Sequence, residues 1–341
     1  MLIAAIALLP VACKKETMEI KKTKAPATAQ KSNCSGNIWN FDNFFDGHKK
    51  NLPGLATVYT MPIVYNNKIY VFDPDKDEIR FYDGTSWNSI QSEIPFDNPV
   101  NIGFTLGNKG YLMPVYGSAD GEVWEYNFAA NTWTKKADFP GPFRNGWSAS
   151  IFTIGDKGYI AGGTLYGNYF NDTWEYNQSA NTWTKKANFS FIGIAGAAGF
   201  SIGNKGYIVN GFFHWPNIGT IYSKILKEYD PVTNVWSFKA SFPGEARGGS
   251  KVFVIAGAAY VGGGSSNGKS YNDYYKYTPG TNSWVKIADA PVSSIPYFGF
   301  SINSKGYIVF HADSNRRLPD EQYIYKYTPL TCISPPGPTP F

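Results

Sequence analysis

The sequence predicts an all-β fold, a six-bladed β-propeller of four-stranded blades, and two recurring phrases carry that prediction. GFTLGNKGYL from Gly103 returns as IFTIGDKGYI from Ile151, GFSIGNKGYI from Gly199 and GFSINSKGYI from Gly299, with weaker copies around Tyr70 and Tyr260. The anchoring Tyr70, Tyr111, Tyr159, Tyr207, Tyr260 and Tyr307 stand 41 to 53 residues apart, the period of a propeller blade. A second phrase follows the first five copies, and in four of them, at Tyr126, Tyr176, Tyr229 and Tyr277, a Trp comes seven residues after the Tyr.

Composition agrees with strands and turns. Phe, Tyr and Trp make up 17% of the chain, which also holds 35 Gly and 22 Pro, a bias that argues against long helices. Within one unit the first two strands, 149–154 and 158–161, are joined by Gly-Asp-Lys-Gly, suited to a tight hairpin with positive φ. The next two, 173–176 and 182–185, are joined by an Asn-rich turn. The sixth unit reaches Tyr323 and Thr328 without a closing Trp strand. Asn37-Ile38-Trp39 supplies the missing Asn-x-Trp opening, and Trp39 lies 48 residues, one blade, before Trp87. An N-terminal strand is therefore expected to complete the last blade and remove an open sheet edge.

These units resemble the kelch repeat, which carries a diglycine after the second strand and a Tyr and Trp across the third and fourth. Gly162-Gly163 with Tyr176 and Trp183 fits that pattern, as does Gly262-Gly263-Gly264 with Tyr277 and Trp284. Elsewhere the diglycine is replaced, at Phe72-Asp73, Pro114, Asn210-Gly211 and Phe310-His311. The resemblance implies the propeller of galactose-oxidase-like proteins in fold; function does not follow from it. Copper oxidation is rejected, because His48, His214 and His311 are scattered among units and the cysteines lie outside the repeats. No cofactor, metal or catalytic triad is expected. Asp73-x-Asp75-x-Asp77 lacks the glycine and closing acid of a calcium loop and reads as a charged hairpin.

The remaining segments organise the chain as a signal peptide over 1–12, a tether over 13–36, the propeller over 37–332 and a Pro-rich tail over 333–341. The apolar run Leu2 to Ala12 ahead of Cys13 resembles a bacterial lipoprotein signal, which implies acylation of Cys13 and a protein exported and lipid-anchored to a bacterial outer membrane or cell surface. The alternative is a soluble secreted protein cleaved near Ala12. The formal net charge is +5, from 31 Lys and Arg against 26 Asp and Glu, and +4 of it belongs to residues 1–35. The nearly neutral body argues against nucleic acid as a partner, and a monomer is expected. Aligning Trp39 with Trp284, and Thr328-Pro329 with Thr278-Pro279, brings Cys34 and Cys332 to one turn, so a disulfide is expected between them.

Ligand contacts are expected where sequence varies between blades. The GNKG and NTW turns of one face repeat almost unchanged; the connections of the other face differ. These supply Arg144 and Trp147 from GPFRNGWS, His214 and Trp215 from GFFHWPN, Arg247 from GEARGGS and Tyr297 from SSIPYFG. The two Arg residues suit bidentate contact with a ligand carboxylate or a structural pairing. His214 and Trp215 suit a sugar-stacking wall or plain packing. The main reading is a non-catalytic module binding an extracellular or periplasmic glycan, anionic small molecule or protein. The alternative, implied by the kelch resemblance, is a sialic-acid mutarotase or epimerase using Arg144, Arg247 and Glu245.

Overall fold

The computed structural model describes residues 33–41, 61–84, 86–97, 100–114, 121–311 and 322–333. Residues Gly36–Leu330 form one compact unit of six four-stranded antiparallel sheets. Blade 1 comprises Ile63–Tyr65, Lys68–Asp73, Glu78–Tyr82 and Trp87–Gln91. Blade 2 comprises Val100–Leu106, Lys109–Pro114, Trp124–Asn127 and Thr132–Lys135, and blade 3 Ser150–Ile154, Lys157–Ala161, Thr173–Asn177 and Thr182–Lys186. Blade 4 runs through Ala198–Ile202, Lys205–Val209, Leu226–Asp230 and Val235–Lys239, blade 5 through Lys251–Ile255, Ala258–Gly262, Tyr274–Thr278 and Ser283–Lys286. Blade 6 takes Pro296–Ile302, Lys305–His311 and Gln322–Thr328 from the end of the chain and Ile38–Phe41 from its beginning. The N-terminal strand thus completes the last blade, as the sequence implied.

Each repeated residue has a physical task. The first-strand Phe stacks on the second-strand Tyr, as in Phe152 on Tyr159 (5.0 Å, 6°) and Phe300 on Tyr307 (5.0 Å, 4°). In blades 2 to 6 the Asn two residues before the fourth-strand Trp adopts a left-handed backbone, φ 52° at Asn181 and 57° at Asn37, which Asn tolerates better than other non-glycine residues. Its side chain accepts the third-strand Tyr hydroxyl, Tyr176 to Asn181 at 2.8 Å. The Trp indole then donates to the preceding blade: Trp183 to Ala137 O (3.0 Å), Trp236 to Ala187 O (3.1 Å) and Trp284 to Ala240 O (2.7 Å).

The second glycine of GNKG serves space, not turn geometry. A Cβ on Gly158 would lie 2.4 Å from the Phe104 ring of the preceding blade, and one on Gly206 2.2 Å from Phe152. The turn itself rests on the first glycine, φ 57° at Gly155 and 58° at Gly203, the pattern of a II′ hairpin. The segment Pro74–Lys76 is a short 3-10 turn in which Asp73 pairs with Lys76 at 2.8 Å and Asp77 accepts the Ile94 amide at 2.9 Å. Lys136 and Lys186 pair with Glu125 and Glu175, carboxylates that also accept the Tyr111 and Tyr159 hydroxyls.

Asn33–Ser35 pairs with Thr331–Ile333 in a separate unit, with Cys34 opposite Cys332 in the register. The signal segment, Cys13 and the tail over 334–341 lie outside the described residues.

Candidate functional site

The inner strands of the six blades surround a cavity of about 850 Å³ lined by residues of every blade, among them Tyr65, Phe104, Phe152, Phe200, Lys251 and Phe300. Blade sheets stand radially, so much of the wall is inner-strand backbone, and the repeated Gly103, Gly199 and Gly299 line it. Where the inner strands begin, on the variable face, Gly146, Ala149, Ala197, Lys251 and Phe298 form its lining.

Arg144 and Arg247 do not line this cavity; of the two roles their chemistry suits, each makes the structural pairing. Arg144 is 1% exposed. Its Nη1 and Nη2 donate to Asp172 at 2.7 and 2.9 Å, Nη1 also donates to Gly162 O at 2.8 Å, and Nε to Pro142 O at 3.1 Å. Phe139 and Phe170 flank the guanidinium at 5.3 and 4.7 Å. Arg247, 0% exposed, repeats the arrangement with both carboxylate oxygens of Asp273 and with Glu245 O (2.8 Å), between Phe242 and Tyr271. Bidentate guanidinium pairing and ring stacking are what Arg does best when buried, and here the partners are the protein's own. Burial alone would raise the Asp172 carboxyl, but Arg144, through hydrogen bonds and charge, and the Trp174 indole hold it below the ordinary range. Asp273 is lowered in the same way by Arg247, against its burial.

The pairs brace the variable face. Between second and third strands, blades 3, 4 and 5 carry short hairpins, Thr164–Leu165 with Asn168–Tyr169, Phe212–Trp215 with Gly219–Tyr222, and Ser265–Ser266 with Lys269–Ser270. His214 and Trp215 therefore lie in a paired strand, not a loop, with His214 opposite Thr220. His214 is exposed and Trp215 is 44% exposed; neither lines the cavity. Trp147, 49% exposed, directly follows the lining Gly146, and half-buried Tyr297 directly precedes the lining Phe298, whose ring it meets edge-on at 5.9 Å. Tyr166, Phe191, Ile218 and Ile295 add further exposed apolar surface. Sequence reasoning missed Lys251, which a single charge at the head of an otherwise uncharged inner-strand position would have flagged.

No family model matches the sequence. A stretch of 103 residues is 36% identical to an N-acetylneuraminate epimerase of Escherichia coli O157:H7, covering 28% of this chain and 27% of that protein. An N-acetylneuraminate epimerase of Shigella boydii serotype 4 is 35% identical over 86 residues, 24% of this chain and 23% of that one. A solved structure described as that of YjhT superposes with a TM-score of 0.55 at 20% identity, over 65% of this chain and 75% of that chain. The fold is a six-bladed β-propeller. The likeness to YjhT is one of fold, and the match spans about a quarter of the length of the curated relatives.

Proposed function

We propose that this propeller binds a sugar acid of the N-acetylneuraminate class at the variable-face mouth of its channel and speeds interconversion of the sugar's anomers. The observation that carries the reading is the 36% identity to an N-acetylneuraminate epimerase over 103 residues, in a chain whose cavity of about 850 Å³ falls in the size range of small-molecule sites. Trp147 and Tyr297 supply flat rings beside the cavity for the apolar face of a sugar. Arg144 and Arg247, bound to their own carboxylates, hold the surrounding hairpins. Anomer exchange requires a base to take the anomeric hydroxyl proton and an acid to protonate the ring oxygen as the ring opens, and the reverse to close it. Glu245, exposed two residues before Arg247 and outside the residues that line the cavity, is the variable-face carboxylate to which we assign those transfers. In the accompanying reading the protein is exported, lipid-anchored at Cys13 and monomeric.

Proton NMR of freshly dissolved N-acetylneuraminate tests this directly. The approach to anomeric equilibrium is expected to quicken with protein present and to return toward the buffer rate with Glu245→Gln. Equilibration at the buffer rate, with saturation transfer still showing bound sugar, would leave a non-catalytic binding module, the reading that the exposed Trp147, His214 and Trp215 also favour. Neither acceleration nor binding would overturn both.

A further inference from the structure

Lys251 is a cation lining the channel that no described residue neutralises. It opens the inner strand of blade 5, opposite Gly262. Counting back two residues from the first-strand partner of each anchoring Tyr, the equivalent positions are Met61, Ile102, Ser150, Ala198 and Phe298. All five are uncharged, and Ile102, Ser150, Ala198 and Phe298 are buried. Of the described residues lining the cavity, Lys251 is the only Lys, Arg, His, Asp or Glu. No hydrogen bond or ion pair joins its ammonium to another described residue, whereas Lys109 on a second strand and Lys136, Lys186 and Lys239 at outer strands each face a Glu.

Lys251 is half-buried; drawing a charge partly out of water without a partner is costly, and that loss of water pushes the Lys251 ammonium down to about 8. It is still mostly protonated at neutral pH. A well-packed propeller has no structural use for such a group at a position that five other blades fill with uncharged side chains.

We infer that Lys251 is the anion anchor of the channel, receiving the carboxylate of a small organic acid that enters from the variable face. This deepens the sugar-acid reading and rests on it for the identity of the acid, though not for the anchor itself. The ammonium offers hydrogen-bond donors and a point charge, in a lining that mixes Phe, Ile, Val and Gly with Thr105, Thr153, Ser201 and Ser301.

Reductive methylation of the full chain, read by mass spectrometry at each lysine, separates anchor from acid. Acetate and N-acetylneuraminate are expected to slow modification of Lys251 relative to Lys136, while acetamide and N-acetylmannosamine leave it unchanged. Failure of every carboxylate to protect Lys251 overturns the anchor. Protection by acetate without protection by N-acetylneuraminate upholds the anchor and overturns the sugar acid. Lys251→Met, a side chain that blade 1 carries at the same place, is expected to weaken N-acetylneuraminate binding by about tenfold to a hundredfold, the scale of a charge-assisted hydrogen bond, with Lys251→Arg retaining most of it. Unchanged affinity in a folded Lys251→Met protein also overturns the anchor.

Discussion

Asn37 accepts the Tyr327 hydroxyl at 3.0 Å across nearly the whole length of the propeller sequence. The same Asn takes the Ala288 amide at 3.2 Å, and Trp39 donates to Ala288 O at 2.9 Å. The ring is therefore closed by the contacts that join consecutive blades elsewhere, with Asn37 and Trp39 standing where Asn282 and Trp284 stand in blade 5. Asn37→Ala removes the acceptor of two hydrogen bonds and places a Cβ-bearing residue of lower left-handed tolerance at φ 57°. A loss of about 2 to 4 kcal/mol is expected from the unpaired groups and backbone strain together. Urea unfolding measures it, and Asn37→Gly should recover only the strain. Equal stability of Asn37→Ala and the parent would show that closure does not depend on this contact.

Arg144→Ala is expected to act on stability before it acts on any ligand. It leaves Asp172 buried with its charge uncompensated, a change that typically costs about 3 to 5 kcal/mol. Replacing both partners, Arg144→Leu with Asp172→Leu, should cost clearly less than the single change. A double-mutant cycle in urea measures the difference. An Arg144→Ala protein as stable as the parent, yet deficient in sugar binding, would return Arg144 to the ligand site.

The same pairs fix the direction of the acid response. Asp172 and Asp273 have carboxyls lowered in the folded protein. Their contribution is complete above the ordinary Asp range, roughly pH 4, and is lost as pH falls through the lower folded values. Unfolding midpoints of the parent are expected to drop below about pH 4 more steeply than those of Asp172→Asn and Asp273→Asn, which begin lower and lack that proton uptake. Parallel acid profiles would contradict the assignment.

Anchoring is tested by fractionation. Expression of the whole precursor in a lipoprotein-processing bacterium is expected to yield a membrane-bound protein that Cys13→Ser moves to the soluble fraction. A parent found wholly soluble would remove the lipid anchor from the reading.

The fold was legible because blades 2 to 6 repeat the same local chemistry, a Phe stacked on Tyr, an Asn in the left-handed region and an indole reaching the preceding blade, while blade 1 keeps the Tyr and Trp but sets Ile63 against Tyr70. Identical turns read as scaffold, and even the split sixth blade showed itself through Asn37-Ile38-Trp39. The Arg pairs were harder, since Asp172 lies 28 residues from Arg144 and nothing local couples them. A signal existed nonetheless. Asn-Asp precedes the third strand at Asn171-Asp172 and Asn272-Asp273, in the two blades whose entering segment carries Arg144 or Arg247. Blade 4 has Lys224-Ile225 there and no Arg in the segment before its inner strand. The loss of both partners together marks a pair. The hairpins were obscured because two-residue strands such as Thr164–Leu165 are too short for alternation to register, leaving only the Tyr166-Gly167 and Asn267-Gly268 turns to announce them. Lys251 was hidden in a phrase recognised by its aromatic residues, which drew attention away from the position two before Phe253.

Cys34 and Cys332 stand opposite one another in an antiparallel pair. Residues so placed have Cα atoms about 4.5 to 5.5 Å apart, inside the span that a disulfide bridges, and export would supply an oxidising compartment. With Cys13→Ser to remove the third thiol, the unreduced protein is expected to show no reactive thiol after denaturation. Two thiols would exclude the bond. Because it would close a loop of about 300 residues, reduction should lower stability by up to about 5 kcal/mol in the chain-entropy model. Cys34→Ser should behave like the reduced parent, and reduction should not weaken that variant further. A reduced parent as stable as the oxidised one would mean that the strand pair holds the two chain ends together without the bond, and the cross-link would then carry no stabilising role.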